Sequence, residues 1–536
     1  MVTSYPPGPV LATPAAIGRT VEEVYAVLAA LDRPCFVLEH GGGIGATNDE
    51  TAARRSGGRV LAVAPAMPAH RLGAADFLRD HGVRYPYMAG AMANGIASER
   101  LVVAMAKAGF LASFGAAGVV PDKIDAALAA IRRAAPGLPF ACNLIHSPNE
   151  LELERAIVEL SLRHGVTCVE ASAFLELTPQ IVRYRLAGLS RDPAGGVRIA
   201  HRVLAKLSRT EIAELFLAPA PDTLVRPLVS AGLVSAEQAE LARFVPMADD
   251  ITVEADSGGH TDRRPLAVLL PEIISLRDRV VRERGYRRPV RVGAAGGLGT
   301  PSSVFAAFAM GAAYVVTGSV NQPCVESGQS VGAKRLLGAA EGTDCAMAPS
   351  SDMFEMGVEV QVLRRGTMFA SKAKRLFELY QAYGGIDDLP PGERAWVQDK
   401  VLRRPFADVW RDTVEYFEER DPEQIRRADG NPKRKMALIF RWYLGLSSFW
   451  CIGADPERVT DYQIWCGPAA GAFNTWVRGT HLEAVENRSV VDVAANLMTG
   501  AAFAGRVAQL RFAGVKLPAA CSTYRPVPLA TAGGRS

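Results

Sequence analysis

Residues 291–322 read RVGAAGGLGTPSSVFAAFAMGAAYVVTGSVNQ. Short apolar runs at the two ends of this stretch have the residue types of β-strands, and the segment between them has the periodicity of a helix. Thr300 can cap the start of that helix, Pro301 suits its first position, and Gly311 can end it. The stretch therefore predicts a strand–helix–strand unit with a glycine-rich loop after each strand.

The two loops, at 293–299 and 318–319, point to a bound phosphate. Glycines let backbone N–H groups approach a ligand, and an anion at a helix N-terminus is the commonest such ligand. The pattern is neither G-x-G-x-x-G nor G-x-x-x-x-G-K-[ST], because Ser302 stands third after Gly299 and no lysine follows, which disfavours a Rossmann fold and an NTPase. Glycines that serve packing alone would explain one loop equally well, but two such loops on consecutive strands favour a phosphate held at the C-terminal face of a (β/α)8 barrel.

Composition narrows the class of protein. At 536 residues the chain is expected to form two or three domains, and 49% apolar with 22% charged residues is typical of a soluble protein. A formal charge of +4 gives no reason to propose nucleic acid as a partner. Neither a membrane span nor a signal peptide is predicted, so a cytoplasmic location is expected. The eight cysteines are scattered without metal-ligand spacing, so we predict reduced thiols and no metal site.

Strand-like and helical patterns alternate from residue 85 onward, as in a (β/α)8 TIM barrel of the α/β class, with a doubly wound sheet as the alternative. The predicted strands are 85–89, 110–114, 139–144, 167–171, 197–207, 251–254, 289–292 and 313–317. The interval 210–250 predicts extra helices, and the helix before the fourth strand is expected at 149–164. Beyond the barrel the pattern is helical and rich in tryptophan. We therefore predict an N-terminal appendage (1–80), the barrel (81–345), an additional helical C-terminal substrate domain (346–512) and a loose tail (513–536).

In a barrel, functional residues follow the strands. The predicted rim is rich in glycine and nearly neutral, which suits flavin mononucleotide (FMN) better than a sugar phosphate. Asn143 and Glu170 could equally cap the helices that follow them. Lys206 is interpreted as a cation beside the flavin, with a solvated strand end as the alternative, and His260 follows Gly258 and Gly259 in a loop.

Several fragments carry a resemblance to the PfaD-type family, the stand-alone enoyl reductases of polyketide and polyunsaturated fatty acid synthases. The resemblance covers about residues 72–502, and in its barrel this family is similar to nitronate monooxygenases. The fragments that carry the resemblance are MAGAMANGIAS, SFGAAG, NLIHSPNE, ADSGGHTD, GAAGGLGTP, TGSVNQ, DMFEMGVEVQVLRRG, NPKRKMALIFRWY and DYQIWCGPAAGAFNTWVRGT. It implies FMN as cofactor, NADPH as reductant and an enoyl thioester on acyl carrier protein as substrate. It also implies site residues: Met88, Ala89 and Gly90 lining the flavin ring, Asn143 and Lys206 touching it, Gly258, Gly259 and His260 over its reacting side, and Gly296, Gly297, Gly318 and Ser319 holding its phosphate.

The resulting hypothesis is a trans-acting, FMN-dependent enoyl reductase in which His260 is the catalytic proton donor or oxyanion partner. Three alternatives stay open: a nitronate monooxygenase, an IMP-dehydrogenase-like enzyme with Cys324 as nucleophile, and a non-catalytic flavin-binding scaffold. The oligomeric state, a homodimer included, is also open. Three basic clusters in the helical half are hypothesised to dock the acidic carrier protein, with a merely solvated face as the alternative: Arg364 and Arg365, Arg403 and Arg404, and above all Lys433, Arg434 and Lys435.

Overall fold

The computed structural model describes residues 17–146 and 151–528. Within this part, the chain forms two compact units: the first comprises everything up to Ala255, Arg264–Ser327 and the segment from Thr475, and the second comprises Asp256–Arg263 with Gly328–Asn474. The predicted helix start at residue 149, the first sixteen residues and the last eight residues of the predicted tail lie outside the described residues. No helix in the described ranges combines the length and hydropathy that a membrane span needs.

The first unit is built around a closed barrel of eight parallel strands, which confirms the predicted (β/α)8 class. Its elements are, in chain order, β4 (Tyr87–Ala89), α4 (Glu99–Lys107), β5 (Leu111–Phe114), α5 (Pro121–Ala134), β6 (Ala141–Ile145), α6 (Leu151–Arg163), β7 (Cys168–Ser172), α7 (Pro179–Ala187), the hairpin β8 (Leu189–Arg191) and β9 (Val197–Ile199), β10 (Arg202–Leu207), α8 (Thr210–Leu217), α9 (Asp222–Ser230), α10 (Ala236–Leu241), β11 (Asp250–Glu254), α11 (Leu266–Arg284), β13 (Arg291–Ala295), α12 (Pro301–Ala309) and β14 (Val315–Thr317).

The strand–helix–strand unit forms as its sequence predicts. Thr300 caps α12 through a hydrogen bond from the Ser303 amide, Pro301 occupies the first turn, and Gly311 ends the unit's helix with a φ of 99°. All five residues of β13 are buried, as expected for a strand covered on both faces. Gly293 leaves room for the Tyr314 ring, because a Cβ there would lie 2.5 Å from that ring.

One predicted strand, 197–207, is two strands in the structure. The chain pairs Val197–Ile199 with Leu189–Arg191 in the hairpin and then begins β10 at Arg202, which joins the barrel between β7 and β11. The predicted extra helices in 210–250 are present as α8, α9 and α10.

A buried ion network fixes the N-terminal ends of the barrel strands. Asp250 accepts hydrogen bonds from Arg291 at 2.6 and 2.9 Å and lies 2.8 Å from His81 Nε2, while Arg291 also donates to Asp80 at 2.7 Å. Burial opposes ionisation, but Arg291 and His81 hold the pKa of Asp250 well below its usual range. The network lies at the end of the barrel that is associated with stability.

The N-terminal residues form a layer that packs on the last helix. This layer contains α1 (Val21–Ala29), β1 (Cys35–His40), β2 (Gly43–Thr47), α2 (Glu50–Arg55), β3 (Val60–Ala64) and α3 (Ala75–His81), and the last helix is α20 (Val490–Phe512). Arg506 of α20 is fully buried and donates to the carbonyls of Leu28 at 3.0 Å and Pro65 at 3.2 Å. Gly500 and Gly505 let the same helix lie close to Pro301 and Phe305 of α12.

These contacts change the predicted domain division. Helix α20 belongs to the barrel unit rather than to the helical region 346–512, because its small residues pack on α12. The described part of the predicted loose tail is also ordered: Val515, Cys521 and Tyr524 are buried in the same apolar cluster as Leu28. Alanine-rich helices and short tails give little sequence signal for such packing.

The second unit is a small sheet surrounded by helices. Its antiparallel sheet has the order β12 (Gly259–His260), β16 (Glu359–Leu363), β15 (Cys345–Pro349). Its helices are α13 (Val331–Gly338), α14 (Phe369–Ala382), α15 (Pro391–Trp396), α16 (Phe406–Arg420), α17 (Pro422–Arg426), α18 (Pro432–Ile452) and α19 (Ala469–Val477) as far as Asn474, with a π-helical turn at Val397–Leu402. Short 3-10 turns in the two units are Ala69–Arg71, Ala242–Phe244, Phe354–Met356, Ile386–Asp388, Val459–Asp461, Val485–Asn487 and Ala519–Cys521.

Candidate functional site at the barrel rim

Four neighbouring strands bring polar residues together at their C-terminal ends. Asn143 on β6 donates to the carbonyl of Glu170 at 3.0 Å and to Ser172 Oγ at 2.9 Å, both on β7. On the next two strands, Lys206 and Glu254 form an ion pair of 2.6 Å. The structure thus places the predicted Asn143 and Lys206 in one cluster, and the predicted helix-capping role of Asn143 is replaced by a link between strands.

Glu170 is the buried carboxylate of this cluster. Its Oε2 accepts a hydrogen bond from the Ala91 amide at 2.8 Å, directly after β4. Its Oε1 accepts no hydrogen bond of ordinary geometry among the described residues, although the nearby Ser113 hydroxyl lowers the pKa of the carboxyl. Burial raises the pKa of Glu170, and the Lys206 ammonium opposes that rise. A fully buried acceptor with an unused oxygen is a feature of sites that receive a ligand group.

The residues after β4 lie beside this carboxylate. Met88 and Ala89 are fully buried, and the Met88 side chain packs in the apolar core of the barrel. Gly90 donates to the carbonyl of Thr317 at 2.9 Å, and a Cβ at Gly90 would lie 3.4 Å from Glu170 Oε1. The same Cβ would lie 2.8 Å from Val316 Cγ1, so a glycine at this position lets β4 pack closely on β14 beside the carboxylate.

The two glycine loops lie side by side, because β13 and β14 are paired in parallel. Gly296 and Gly297 both have left-handed backbones, with φ of 84° and 70°. A Cβ added at Gly297 or at Gly318 would meet nothing within 4 Å. Consecutive residues of this kind form concave turns that suit anions, and helix α12 begins directly behind them. Ser319 follows Gly318 at the same end of β14.

The remaining predicted residues, Gly258, Gly259 and His260, lie in the second unit. They were predicted in a loop, but Gly259 and His260 form the short strand β12, which pairs with Gln361 and Val360 of β16. The backbone of Gly258 lies against that of Cys466 so closely that a Cβ would be 2.8 Å from its nitrogen. This local pairing, which connects residues about a hundred positions apart, has no signature in the sequence.

His260 has a carboxylate partner within the second unit. Its Nε2 lies 3.3 Å from Asp352 Oδ1, and both side chains are about half exposed. Partial desolvation of the half-exposed Asp352 raises its pKa, but the hydrogen bond and charge of His260 outweigh that effect and lower the pKa to about 2. Asp352 thus orients the imidazole, and it was missed because the two residues are far apart in sequence. Glu254 was also missed, although its position at the end of a predicted strand could have indicated it.

The basic clusters have partners inside the second unit. Lys433 Nζ donates to the carbonyls of Tyr380 and Tyr383, and Arg434 pairs with Glu355 at 2.6 Å. Lys435 lies over the Trp410 ring. The clusters at Arg365, Arg403 and Arg404 are likewise paired with acidic residues. These cations have partners within the helical unit, so the docking role predicted for Lys433, Arg434 and Lys435 gains no support from their contacts.

Two family models match the chain in succession. Residues 77–366 match the family described as nitronate monooxygenase. Residues 383–462 match the inserted helical domain of [acyl-carrier-protein] S-malonyltransferase. The first match covers the barrel, and the second lies within the helical unit.

Relatives of known context agree with these matches. A polyunsaturated fatty acid synthase subunit of Thraustochytrium sp. is 50% identical over 82% of this chain, and polyketide biosynthesis protein PksE of Bacillus subtilis is 44% identical over 81%. The matched regions span only 30% and 56% of those two relatives. The crystal structure of the enoyl reductase domain of MlnA, from the macrolactin biosynthesis cluster of Bacillus amyloliquefaciens, superposes with a TM-score of 0.78 at 36% identity, covering 83% of this chain and 99% of that domain.

The parallel barrel, its paired glycine loops and the match over residues 77–366 define the class, a barrel of the nitronate monooxygenase type. The chain belongs to the PfaD-type family of polyunsaturated fatty acid and polyketide biosynthesis proteins.

Proposed function

We propose that this chain is an enoyl reductase that acts in trans, reducing the 2,3 double bond of an enoyl thioester on acyl carrier protein with FMN and NADPH. The observation that carries the proposal is the similarity over almost the whole of the MlnA enoyl reductase domain. The rim geometry supports the same cofactor class. Flavin mononucleotide, when bound, would supply a reversible carrier of hydride between nicotinamide and substrate.

The residues of the barrel rim fit a flavin mononucleotide. Gly296, Gly297, Gly318 and Ser319 would hold its phosphate, because open space at Gly297 and Gly318 leaves room for an anion beside backbone amides. Gly90 would border the ring through its backbone, since a Cβ there would lie 2.8 Å from Val316 Cγ1 and that space is already filled. Glu170 Oε1, which accepts no hydrogen bond of ordinary geometry among the described residues, would accept one from a ligand N–H.

Lys206 would balance charge at the rim. Its ammonium lies between two carboxylates, Glu254 at 2.6 Å and the buried Glu170, whose pKa rise it opposes. The same cation would stabilise negative charge that develops on a bound ring or thioester. Asn143 donates both amide hydrogens to β7, so it would present its side-chain carbonyl oxygen to the same ligand.

His260 is proposed as the group that delivers a proton to the substrate or stabilises its oxyanion. The proposal comes from the family motif ADSGGHTD, and the hydrogen bond to Asp352 supports it by giving the ring a fixed orientation. Nothing in the structure supports Cys324 as a nucleophile, because its side chain is fully buried.

A nitronate monooxygenase remains the second candidate, since the barrel matches that family model. The two activities are separated by assaying the purified protein with NADPH and a carrier-bound enoyl thioester, and separately with a nitronate under oxygen. We expect NADPH oxidation that depends on the enoyl substrate. Nitronate oxidation without enoyl reduction would overturn the proposal, and bound flavin with neither activity would favour a scaffold.

The carrier protein is proposed as the partner that delivers the substrate, as in synthase systems of this family. Because Lys433, Arg434 and Lys435 all have partners within the helical unit, reversing their charges would disturb those contacts as well as any docking. The partner can be tested without any variant. The value of kcat/KM is measured at several salt concentrations for a carrier-bound substrate and for a short thioester, and the two are compared. A carrier advantage that falls as salt rises supports electrostatic docking.

A further inference from the structure

Two thiols that are far apart in sequence meet in the second unit. The sulfur atoms of Cys345 and Cys466 lie 3.9 Å apart, although 121 positions separate the residues. Cys466 is buried, whereas Cys345 at the start of β15 is partly exposed. A reagent from solvent can therefore reach Cys345 first, and Cys466 lies behind it.

The two cysteines flank strand β16. Cys345 pairs with Leu363 across one edge of β16, while the Cys466 amide donates to the Gln361 carbonyl at 3.3 Å. The segment around Cys466 lies along the same edge of β16 as β12, the strand that contains His260. A bond between the thiols would thus span the strand that supports His260.

The segment Asp256–Arg263 is in direct contact with Cys466. A Cβ at Gly258 would lie 2.8 Å from the Cys466 nitrogen, and one at Gly467 would lie 2.9 Å from the Gly258 nitrogen. The side chain of Gln361 ties the same segment down, donating to Asp256 Oδ1 at 2.8 Å and the Ser257 carbonyl at 2.6 Å. Because these two backbones are in van der Waals contact, a displacement of Cys466 must move Ser257 and Gly258.

The chemical environment suits Cys345 to react first. The hydrogen bond between the thiols lowers the pKa of Cys345, against the effects of burial and of the carboxylates of Asp256 and Asp344. The same pairing raises the pKa of Cys466 well above its ordinary value. An accessible thiol with more thiolate character, next to a protonated thiol, is the arrangement of reactive and resolving cysteines.

We propose that Cys345 and Cys466 are a site of reversible oxidation, and that formation of a disulfide between them displaces the segment Asp256–Arg263. The oxidant is hydrogen peroxide. The Cys345 thiol first loses its proton; the thiolate then attacks one peroxide oxygen, the O–O bond breaks, and the hydroxide that leaves takes up that proton as water. The Cys466 sulfur then attacks the resulting sulfenic acid, an S–S bond forms, and the hydroxyl leaves with the Cys466 proton as a second water. Two electrons pass from the two thiols to the peroxide.

The displacement follows from the distances. A disulfide requires the sulfurs to move from 3.9 Å to about 2 Å apart, and bridging across an intervening strand requires backbone movement. Because Cys466 lies against Gly258, that movement reaches the segment that carries His260. The bond is expected to be readily reduced, as strained disulfides are.

The test uses the full chain, purified reduced and treated with hydrogen peroxide. Peptide mapping without reductant should find Cys345 joined to Cys466, with a mass loss of two hydrogens that dithiothreitol reverses. Hydrogen exchange should change at 256–263 on oxidation and return on reduction. Cys345→Ser and Cys466→Ser should abolish both changes, whereas Cys451→Ser, a buried cysteine of the same unit, should leave them intact.

Two results would overturn the inference. In the wild-type protein, peroxide that leaves both thiols free, or oxidises Cys345 only to sulfinic acid, would rule out the disulfide. A disulfide that forms while exchange at 256–263 is unchanged would rule out the coupling to the His260 segment. Both results come from the wild type, so they do not depend on how the variants fold. The redox site does not depend on the proposed enoyl reduction.

Discussion

At the scale of single residues, the side chains of the candidate site have partners that are distant in the sequence. Glu170 and Lys206 could be placed at strand ends from the sequence, because strand periodicity locates them. Their pairing with Ala91 and Glu254 could not, since register in a closed barrel is set by the whole ring of strands. His260 was predicted as a site residue through its motif, but its hydrogen-bond partner Asp352 was not predicted.

His260→Ala is expected to keep the flavin and its reduction by NADPH, while enoyl turnover falls by about 10²- to 10⁴-fold, because a proton donor or oxyanion partner is lost. Stopped-flow spectroscopy separates the two steps. Asp352→Asn, which removes the carboxylate that orients the ring, should show a smaller loss in the same step. Unchanged turnover in His260→Ala would place the proton donor elsewhere.

Asp250 is expected to make the barrel sensitive to acid. Its pKa is depressed in the folded state by Arg291 and His81, so its stabilising effect is complete above the ordinary carboxyl value of about 3.9 and is lost as the pH falls below it. Asp250→Asn should therefore be less stable than wild type at neutral pH but lose less stability below about pH 4. Urea unfolding at several pH values measures both effects. Parallel pH profiles for the two proteins would contradict this role.

At the scale of elements, the sequence predicted an element correctly where the residues at its own two ends determine where it starts and stops. Helix α12 was predicted from Thr300, Pro301 and Gly311, and each residue has the expected role. Strand β12 was missed because two residues cannot show periodicity, and it exists only through pairing with β16. Helix α20 was found, but its assignment to the barrel unit depends on close packing at Gly500 and Gly505.

The π-helical turn Val397–Leu402 depends on one buried carboxylate. Asp461 is fully buried and pairs with Lys372 at 2.6 Å, Arg403 at 3.0 Å and Arg458 at 3.3 Å. Lys372 and Arg458 also donate to carbonyls at the end of the turn, so these cations close its negative terminus. Asp461 thereby keeps them in position.

Asp461→Asn should lower the free energy of unfolding of the second unit by about 3–5 kcal/mol, because it leaves buried cations uncompensated. Hydrogen exchange at 397–403 should rise with it. Asp429→Asn, at an exposed position of the same unit, is the matched control and should change little. Equal behaviour of the two variants would show that the cluster does not stabilise the turn.

At the scale of the whole molecule, the sequence predicted the barrel and a helical region but not how the chain divides between them. The barrel could be predicted because each of its strands and helices has its own local pattern, and these patterns repeat along the chain. Asp256–Arg263 lies within the barrel sequence but belongs to the second unit, and the chain from Thr475 onward belongs to the first unit. Such exchanges depend on tertiary packing, which leaves no local periodicity.

Gly318→Asp tests whether the glycine loops hold the cofactor. Open space at Gly318 means that the side chain should be accommodated without loss of the fold, while its carboxylate repels a phosphate. We expect a folded protein with no flavin, measured by circular dichroism and by absorbance. Gly332→Asp, at another open glycine in the second unit, should retain the flavin. Full flavin content in Gly318→Asp would place the phosphate elsewhere.

The central claim is most directly tested by an anaerobic two-step titration of the purified protein, followed by its visible spectrum. The protein should carry a flavin absorbance that NADPH bleaches, and one equivalent of an enoyl thioester on acyl carrier protein should restore it with formation of the saturated thioester. Release on denaturation should identify the chromophore as FMN. Absence of a flavin, or an absorbance that only oxygen restores and no enoyl substrate does, would contradict the claim.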